Sequence, residues 1–205
     1  MTAGPRIFIV DDDAALRYGL AIFLEISGYT VSAFESAENF LATCTPDVTG
    51  CAILDLEMPG MDGQTLQKEM NRRGFRLPVI FLSGYGTIRT SVRTMKAGAV
   101  NFLTKPVDPP ALVACVQEAL NIESRQQRRH ETRLANASLL ESLTERERQI
   151  MALTVTGYTN KEIAQRLDIS HRTVEIHRAR IFQKTNTSNA LELARMAGVI
   201  DARPG

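Results

Sequence analysis

Apolar residues in the first 120 positions follow two rhythms. Short apolar runs at residues 7–10, 30–34, 51–54, 79–82 and 101–103 read as strands. Between them, residues 14–27, 37–43, 63–73 and 87–97 carry apolar side chains three and four apart, as amphipathic helices do. Leu16, Leu20, Phe23 and Leu24 form one such face. A further helix is predicted after Pro109 and Pro110, with Leu112, Val113, Val116 and Leu120 on one side. Strands that are apolar throughout are buried on both faces, as in a parallel sheet covered by helices. Alternation of five strands with five helices therefore predicts an α/β fold, a five-stranded doubly wound parallel sheet.

The rhythm stops at residues 123–138, where Leu134 is the single large apolar side chain. Such a stretch cannot bury a face and is predicted as a solvated linker or a helical extension of the helix before it. Beyond Leu143 the pattern is all-helical. Thr144 to Glu147 and Thr159 to Glu162 are capping-box signatures, and Gly157 ends the helix between them. Ile150, Met151, Leu153 and Val155 supply the apolar side of the first of these helices. A third helix is predicted over residues 171–184, and Leu191 to Met196 begin a fourth. The expected organisation is a sheet domain at residues 6–120, a linker at 121–137 and a four-helix domain at 138–203.

Charge sharpens this division. Residues 1–120 hold 10 Lys and Arg against 13 Asp and Glu, net −3, whereas residues 121–205 hold 14 against 10, net +4. An acidic front and a basic back suit different partners. The three cysteines, Cys44, Cys51 and Cys115, are scattered and read as reduced thiols. With no apolar run of membrane-spanning length and no signal-peptide pattern, a cytoplasmic protein without membrane contact is expected.

In an open parallel sheet, ligands sit at the carboxyl ends of the strands, where strand order reverses. The ends of the predicted strands are chemically pointed. Asp11, Asp12 and Asp13 follow the first, Asp55 the third, Ser83 the fourth and Lys105 the fifth. Singly, each is a chain reaching water; together they put carboxylates, a hydroxyl and an ammonium on one rim. Clustered carboxylates repel, and a hard divalent cation with oxygen ligands offsets that repulsion. The sequence lacks GxGxxG and GxxxxGK[ST], which argues against a nucleotide. The rim suits phosphoryl chemistry with an aspartate nucleophile.

The motifs VDDD, LDLEMPGMDG, FLSGYG and FLTKP occur in order. With them the first part of the chain resembles the receiver domain of two-component response regulators. The resemblance implies phosphorylation of Asp55 by a sensor histidine kinase, with Ser83 and Lys105 acting on the phosphoryl group. It implies Mg²⁺ or Mn²⁺ on Asp12, Asp55 and the Glu57 carbonyl, with Asp11 acting through water. It further implies a cis bond before Pro106, and a switch in which Ser83 moves and Phe102 turns inward. The surface from Thr87 to Lys105 would then become a homodimer interface. Glu57 and Tyr85 stand where relatives tune dephosphorylation, and the bulk of Tyr85 is expected to shield the acyl phosphate.

Residues 160–179 predict helix, short turn, helix, with Ile163, Ala164 and Leu167 packed on Val174 and Ile181. The second helix carries Arg172, Arg178, Arg180 and Lys184 against Glu175, net +3 over residues 171–184. A basic helix on a support helix is helix-turn-helix logic, the second helix entering the major groove. The segment from Leu143 to Lys184 resembles the LuxR-type DNA-binding domain, and the whole chain resembles regulators of the FixJ/NarL type. By position, Glu175, Ile176 and Ala179 face base edges, while Lys161, Arg172, Thr173 and Arg180 contact phosphates. His177 and Arg178 either reach the DNA backbone or pack towards the scaffold. The expected function is a phosphorylation-switched transcriptional activator, not an enzyme, with a histidine kinase, double-stranded promoter DNA and RNA polymerase as partners. The competing readings are a phosphohydrolase with Asp55 as nucleophile and a receiver-based protein adaptor without DNA binding.

Overall fold

The computed structural model describes residues 6–84 and 98–199. Five strands are present: β1 (Arg6–Val10), β2 (Thr30–Phe34), β3 (Gly50–Asp55), β4 (Val79–Ser83) and β5 (Asn101–Thr104). They pair in parallel in the order β2-β1-β3-β4-β5. Strand order reverses at β1, which has β2 on one side and β3 on the other. Helices α1 (Ala14–Ile26), α2 (Ala37–Thr43) and α3 (Gly63–Arg73) alternate with the strands. The helix expected at residues 87–97, and Tyr85, lie outside the described residues.

The pleat explains why the strands are apolar throughout. Phe8, Val10, Ala52, Leu54 and Phe81 point to one face, where Phe40 of α2 and Leu66 and Met70 of α3 cover them. Ile7, Ile9, Cys51, Ile53, Ile80 and Leu82 point to the other, beneath Leu20 and Leu24 of α1. Leu112, Cys115 and Val116 of α4 (Pro109–Glu141) complete that second layer. Both sets are period-2 alternations superposed, which reads in sequence as a continuous run. The helix starts are capped by side chains: Asp13 for α1, Ser36 for α2 and Asp62 for α3.

The chain divides into two compact units, residues 1–127 and 128–205. The segment expected as a linker is helical, forming part of α4. Its Arg, Gln, Glu and Ala residues are good helix formers, so the helix continues where it no longer has a core to cover. Leu134 is exposed on it.

The second unit contains α5 (Glu145–Val155), α6 (Asn160–Leu167), α7 (His171–Thr185) and α8 (Ala190–Met196). Both predicted capping boxes form, at Thr144/Glu147 and Thr159/Glu162. Leu143, Ile150, Ile163, Val174, Ile181 and Leu193 make its core. One polar group is sunk beside that core. Glu147 is only 3% exposed, accepts from the Thr144 amide at 2.8 Å and from Lys184 Nζ at 2.7 Å. This ties the last turn of α7 to the first turn of α5.

Two outcomes follow from these contacts. The Lys184 hydrogen bond, ahead of those from Thr144, holds the Glu147 carboxyl below its ordinary value. A depressed carboxyl stabilises the fold above the unfolded pKa near 4.3 and loses that contribution as pH falls through the folded value. Lys184→Met should therefore lower the opening free energy of α7 amides by about 1–3 kcal/mol at neutral pH. The deficit should shrink in acid; hydrogen exchange of the whole chain checks this, and equal protection at neutral pH would contradict it. The second outcome concerns Gly63, where an added Cβ would lie 2.1 Å from the carbonyl oxygen of Asp55. Gly63→Ala should destabilise the sheet unit by about 1–3 kcal/mol despite the better helix propensity of alanine. Thermal melting would show it, and an unchanged midpoint would rule out this close approach.

Candidate functional site

The site stands at the reversal of strand order. The end of β1 delivers Asp11 and Asp12, the end of β3 delivers Asp55, and β4 ends on Ser83. Lys105 follows β5, and its backbone amide donates to the Ser83 carbonyl at 2.8 Å. Its side chain then reaches across the rim. Lys105 Nζ donates to Asp11 Oδ2 and to Asp55 Oδ2, both at 2.8 Å. The Lys105–Pro106 peptide bond is cis.

Asp11 is 0% exposed and Asp55 5%, while Asp12 and Glu57 are exposed. Burial raises the Asp11 carboxyl; the Lys105 bond and the Asp13 amide pull it down again, but the net direction is up. Burial lowers the Lys105 ammonium, and its bonds to Asp11 and Asp55 more than reverse that, so it is held above its ordinary value. Asp13 is apart from this group. It caps α1, accepting from the amides of Ala15 at 2.9 Å and Leu16 at 3.1 Å, and these bonds hold its carboxyl low.

Carboxylate oxygens of Asp11, Asp12 and Asp55 lie within 4.8 Å of one another. Three hard oxygen donors, with no imidazole or thiolate among them, suit Mg²⁺ or Mn²⁺. Glu57 is held nearby, its amide donating to Asp55 Oδ1 at 3.2 Å, but its side chain is not in this group. Phe102 on β5 is half-buried against the α2–α3 side of the sheet.

Three supporting contacts had no signal in the sequence pattern. Arg17 Nη1 donates to the Asp11 carbonyl at 2.6 Å, fixing the loop that bears Asp12. Glu38 Oε1 accepts from the Met61 amide at 3.2 Å and lies beside Gly60, whose φ of 74° needs a glycine. Arg146 Nη2 donates to the carbonyl of Leu167 at 2.8 Å, bracing the end of α6.

In the second unit, α6, a turn at Asp168 to Ser170 and α7 form a helix-turn-helix. Asp168 adopts a left-handed conformation at φ 51°, and Ser170 caps α7. Lys161, Arg172, Ile176, Ala179 and Arg180 are exposed; Thr173 and Glu175 are half-buried. Arg172 Nη1 donates to Glu175 Oε2 at 3.1 Å, an exposed contact that binding can exchange at little cost. Arg178 and His177 differ. Arg178 is half-buried and bonded to Asn160 Oδ1 at 2.6 Å. His177 Nδ1 is buried with no hydrogen-bond partner among the described residues.

Comparison with known proteins agrees with both halves of this geometry. Residues 7–117 match the response regulator receiver domain, and residues 141–197 match the luxR family of bacterial regulatory proteins. The chain is 39% identical over 198 residues to the transcriptional regulatory protein FixJ of Azorhizobium caulinodans, covering 97% of this chain and 94% of that one. It is 38% identical over 189 residues to the tetrathionate response regulatory protein TtrR of Salmonella typhimurium, covering 92% and 90%. Among solved structures, the response regulator StyR has a TM-score of 0.83 at 37% identity, covering 97% of this chain and all of that one. Full-length FixJ from B. japonicum has a TM-score of 0.59 at 34% identity, covering 98% and 100%. A receiver-type acidic rim on a doubly wound sheet, followed by a LuxR-type helix-turn-helix, places this chain in the family of two-component response regulators that bind DNA.

Proposed function

We propose that Asp55 accepts a phosphoryl group from the phosphohistidine of a sensor kinase and that this controls transcription. The observation that carries the reading is the Lys105 ammonium held 2.8 Å from both Asp11 and Asp55 at the strand-order reversal. An Asp55 carboxylate oxygen forms the new bond to phosphorus as the phosphorus–nitrogen bond of the donor breaks, and the departing imidazole takes up a proton. A divalent ion held by Asp12, Asp55 and the Glu57 carbonyl, with Asp11 acting through water, would neutralise phosphoryl charge in the transition state. In this reading Lys105, whose Nζ lies 2.8 Å from Asp55 Oδ2, pairs with a phosphoryl oxygen.

The modification adds about −1.5 to −2 charges and three acceptor oxygens. In this reading the Ser83 hydroxyl donates to one of them and Phe102 turns inward, so that the surface from Thr87 to Lys105 becomes a dimer interface. Two copies then present two α7 helices to paired half-sites in promoter DNA, and RNA polymerase is recruited. The basic, exposed groups of Lys161, Arg172 and Arg180 support phosphate contact, and Glu175, Ile176 and Ala179 lie towards the base edges. The names of the relatives, transcriptional and response regulators, support a regulator over a phosphohydrolase. Among the described residues no helix is long and apolar enough to cross a membrane.

Incubation of the whole chain with Mg²⁺ and a small acyl phosphate should add the mass of one phosphoryl group. Asp55→Asn should take up none. Label on the Asp55→Asn chain, or none on the wild type, would contradict the assignment.

A further inference from the structure

We infer that Arg178 and Asn160 form a clamp that sets the angle of the recognition helix, so that Arg178 serves DNA binding as a positioning residue and not as a phosphate contact. The inference rests on the DNA-binding reading above and goes beyond it.

Helical geometry separates Arg178 from the groove-facing residues. At about 100° per residue, Arg178 points about 40° from Val174 and about 60° from Ile181. Val174 and Ile181 are both buried in the core of the unit. Arg172, Ile176, Ala179 and Arg180 point between about 140° and 240° from Val174, on the opposite side. The position of Arg178 along the helix therefore aims it at the support helix.

Its contacts follow that direction. Nη1 donates to Asn160 Oδ1 at 2.6 Å, and the guanidinium carbon lies 5.8 Å from the centre of the Phe182 ring, one turn along α7. Asn160 is the first residue of α6 and directly follows the capping Thr159, whose amide donates to Glu162 Oε2 at 2.8 Å. The anchor is thus one of the better-fixed points of the support helix. A cation at a helix N-terminus is opposed by the macrodipole. The amide oxygen of Asn160 compensates by accepting the charged donor.

Among the described residues, Ile163 and Ala164 of α6 share an apolar core with Val174 and Ile181 of α7. Apolar packing is non-directional, whereas a charge-assisted hydrogen bond fixes orientation. Losing it would let α7 tilt and would misplace every side chain that reads the groove.

The test compares wild type, Arg172→Ala, Arg178→Ala, Asn160→Ala and the Arg178→Ala/Asn160→Ala double variant in the whole chain. The probe is a duplex that the wild-type chain enriches from a random-sequence pool. Circular dichroism verifies folding, and Arg178→Gln replaces Arg178→Ala if the latter unfolds. The clamp predicts that Arg178→Ala and Asn160→Ala each weaken binding on the order of tenfold, and that the double variant is no weaker than either. It also predicts that the slope of log affinity against log salt stays at the wild-type value in both, while Arg172→Ala lowers it by about 1. A slope lowered by Arg178→Ala overturns the clamp. So does an Asn160→Ala chain that binds as well as wild type or better, since the bond to Asn160 would then not be needed to hold the recognition helix. If wild type enriches no duplex, the DNA-binding reading itself fails and the clamp with it.

Discussion

Three carboxylates cannot share a rim at neutral pH without something to hold them there. Asp11, Asp12 and Asp55 come within 4.8 Å of one another because β1 and β3 are adjacent parallel strands that end at the same level. Lys105 partly resolves the repulsion by bridging Asp11 and Asp55. Burial of Asp11 still leaves its carboxyl raised, so its ionised form is disfavoured there. In the proposed reading, a divalent cation relieves this site and a phosphoryl group reorganises it. The rest of the sheet unit exists to keep those side chains from moving apart.

The parts of this arrangement that could be read from sequence are those where chemistry interrupts a pattern. Asp55 was legible because a charge ends an apolar run, and the same holds for Asp11 and Lys105. The strand and helix positions followed because the two-sided burial of β1, β3 and β4 leaves no polar gap. The capping boxes at Thr144 and Thr159 were legible because both partners lie within one turn. Arg17 was not, because its target is a backbone carbonyl, which no side-chain pattern marks. Glu147 and Lys184 are 37 residues apart and meet only through the tertiary fold. Thr154 and Thr185 are buried against expectation for polar residues, and each hydroxyl donates to its own helix at Ile150 and Ile181. That local satisfaction is what permits burial, and it leaves no trace in hydrophobic periodicity.

The helical unit uses the same device on a smaller scale. Its core is a handful of aliphatic side chains, too non-directional to fix angles by themselves. Directional bonds from long cations to well-anchored oxygens do that: Lys184 to Glu147, Arg146 to Leu167 and Arg178 to Asn160. The cations of α7 are thereby divided: Arg172 and Arg180 are exposed, while Lys184 and Arg178 bond to Glu147 and Asn160.

In the proposed function, the acidic rim is kept at a cost to stability so that it can bind a cation and a phosphoryl group. Thermal melting of the whole chain across a Mg²⁺ titration, for wild type and Asp11→Asn, tests it directly. Without Mg²⁺ the variant should melt above wild type, and added Mg²⁺ should raise the wild-type midpoint far more than that of the variant. A variant that melts below wild type without the ion, or gains as much from it, would contradict the account.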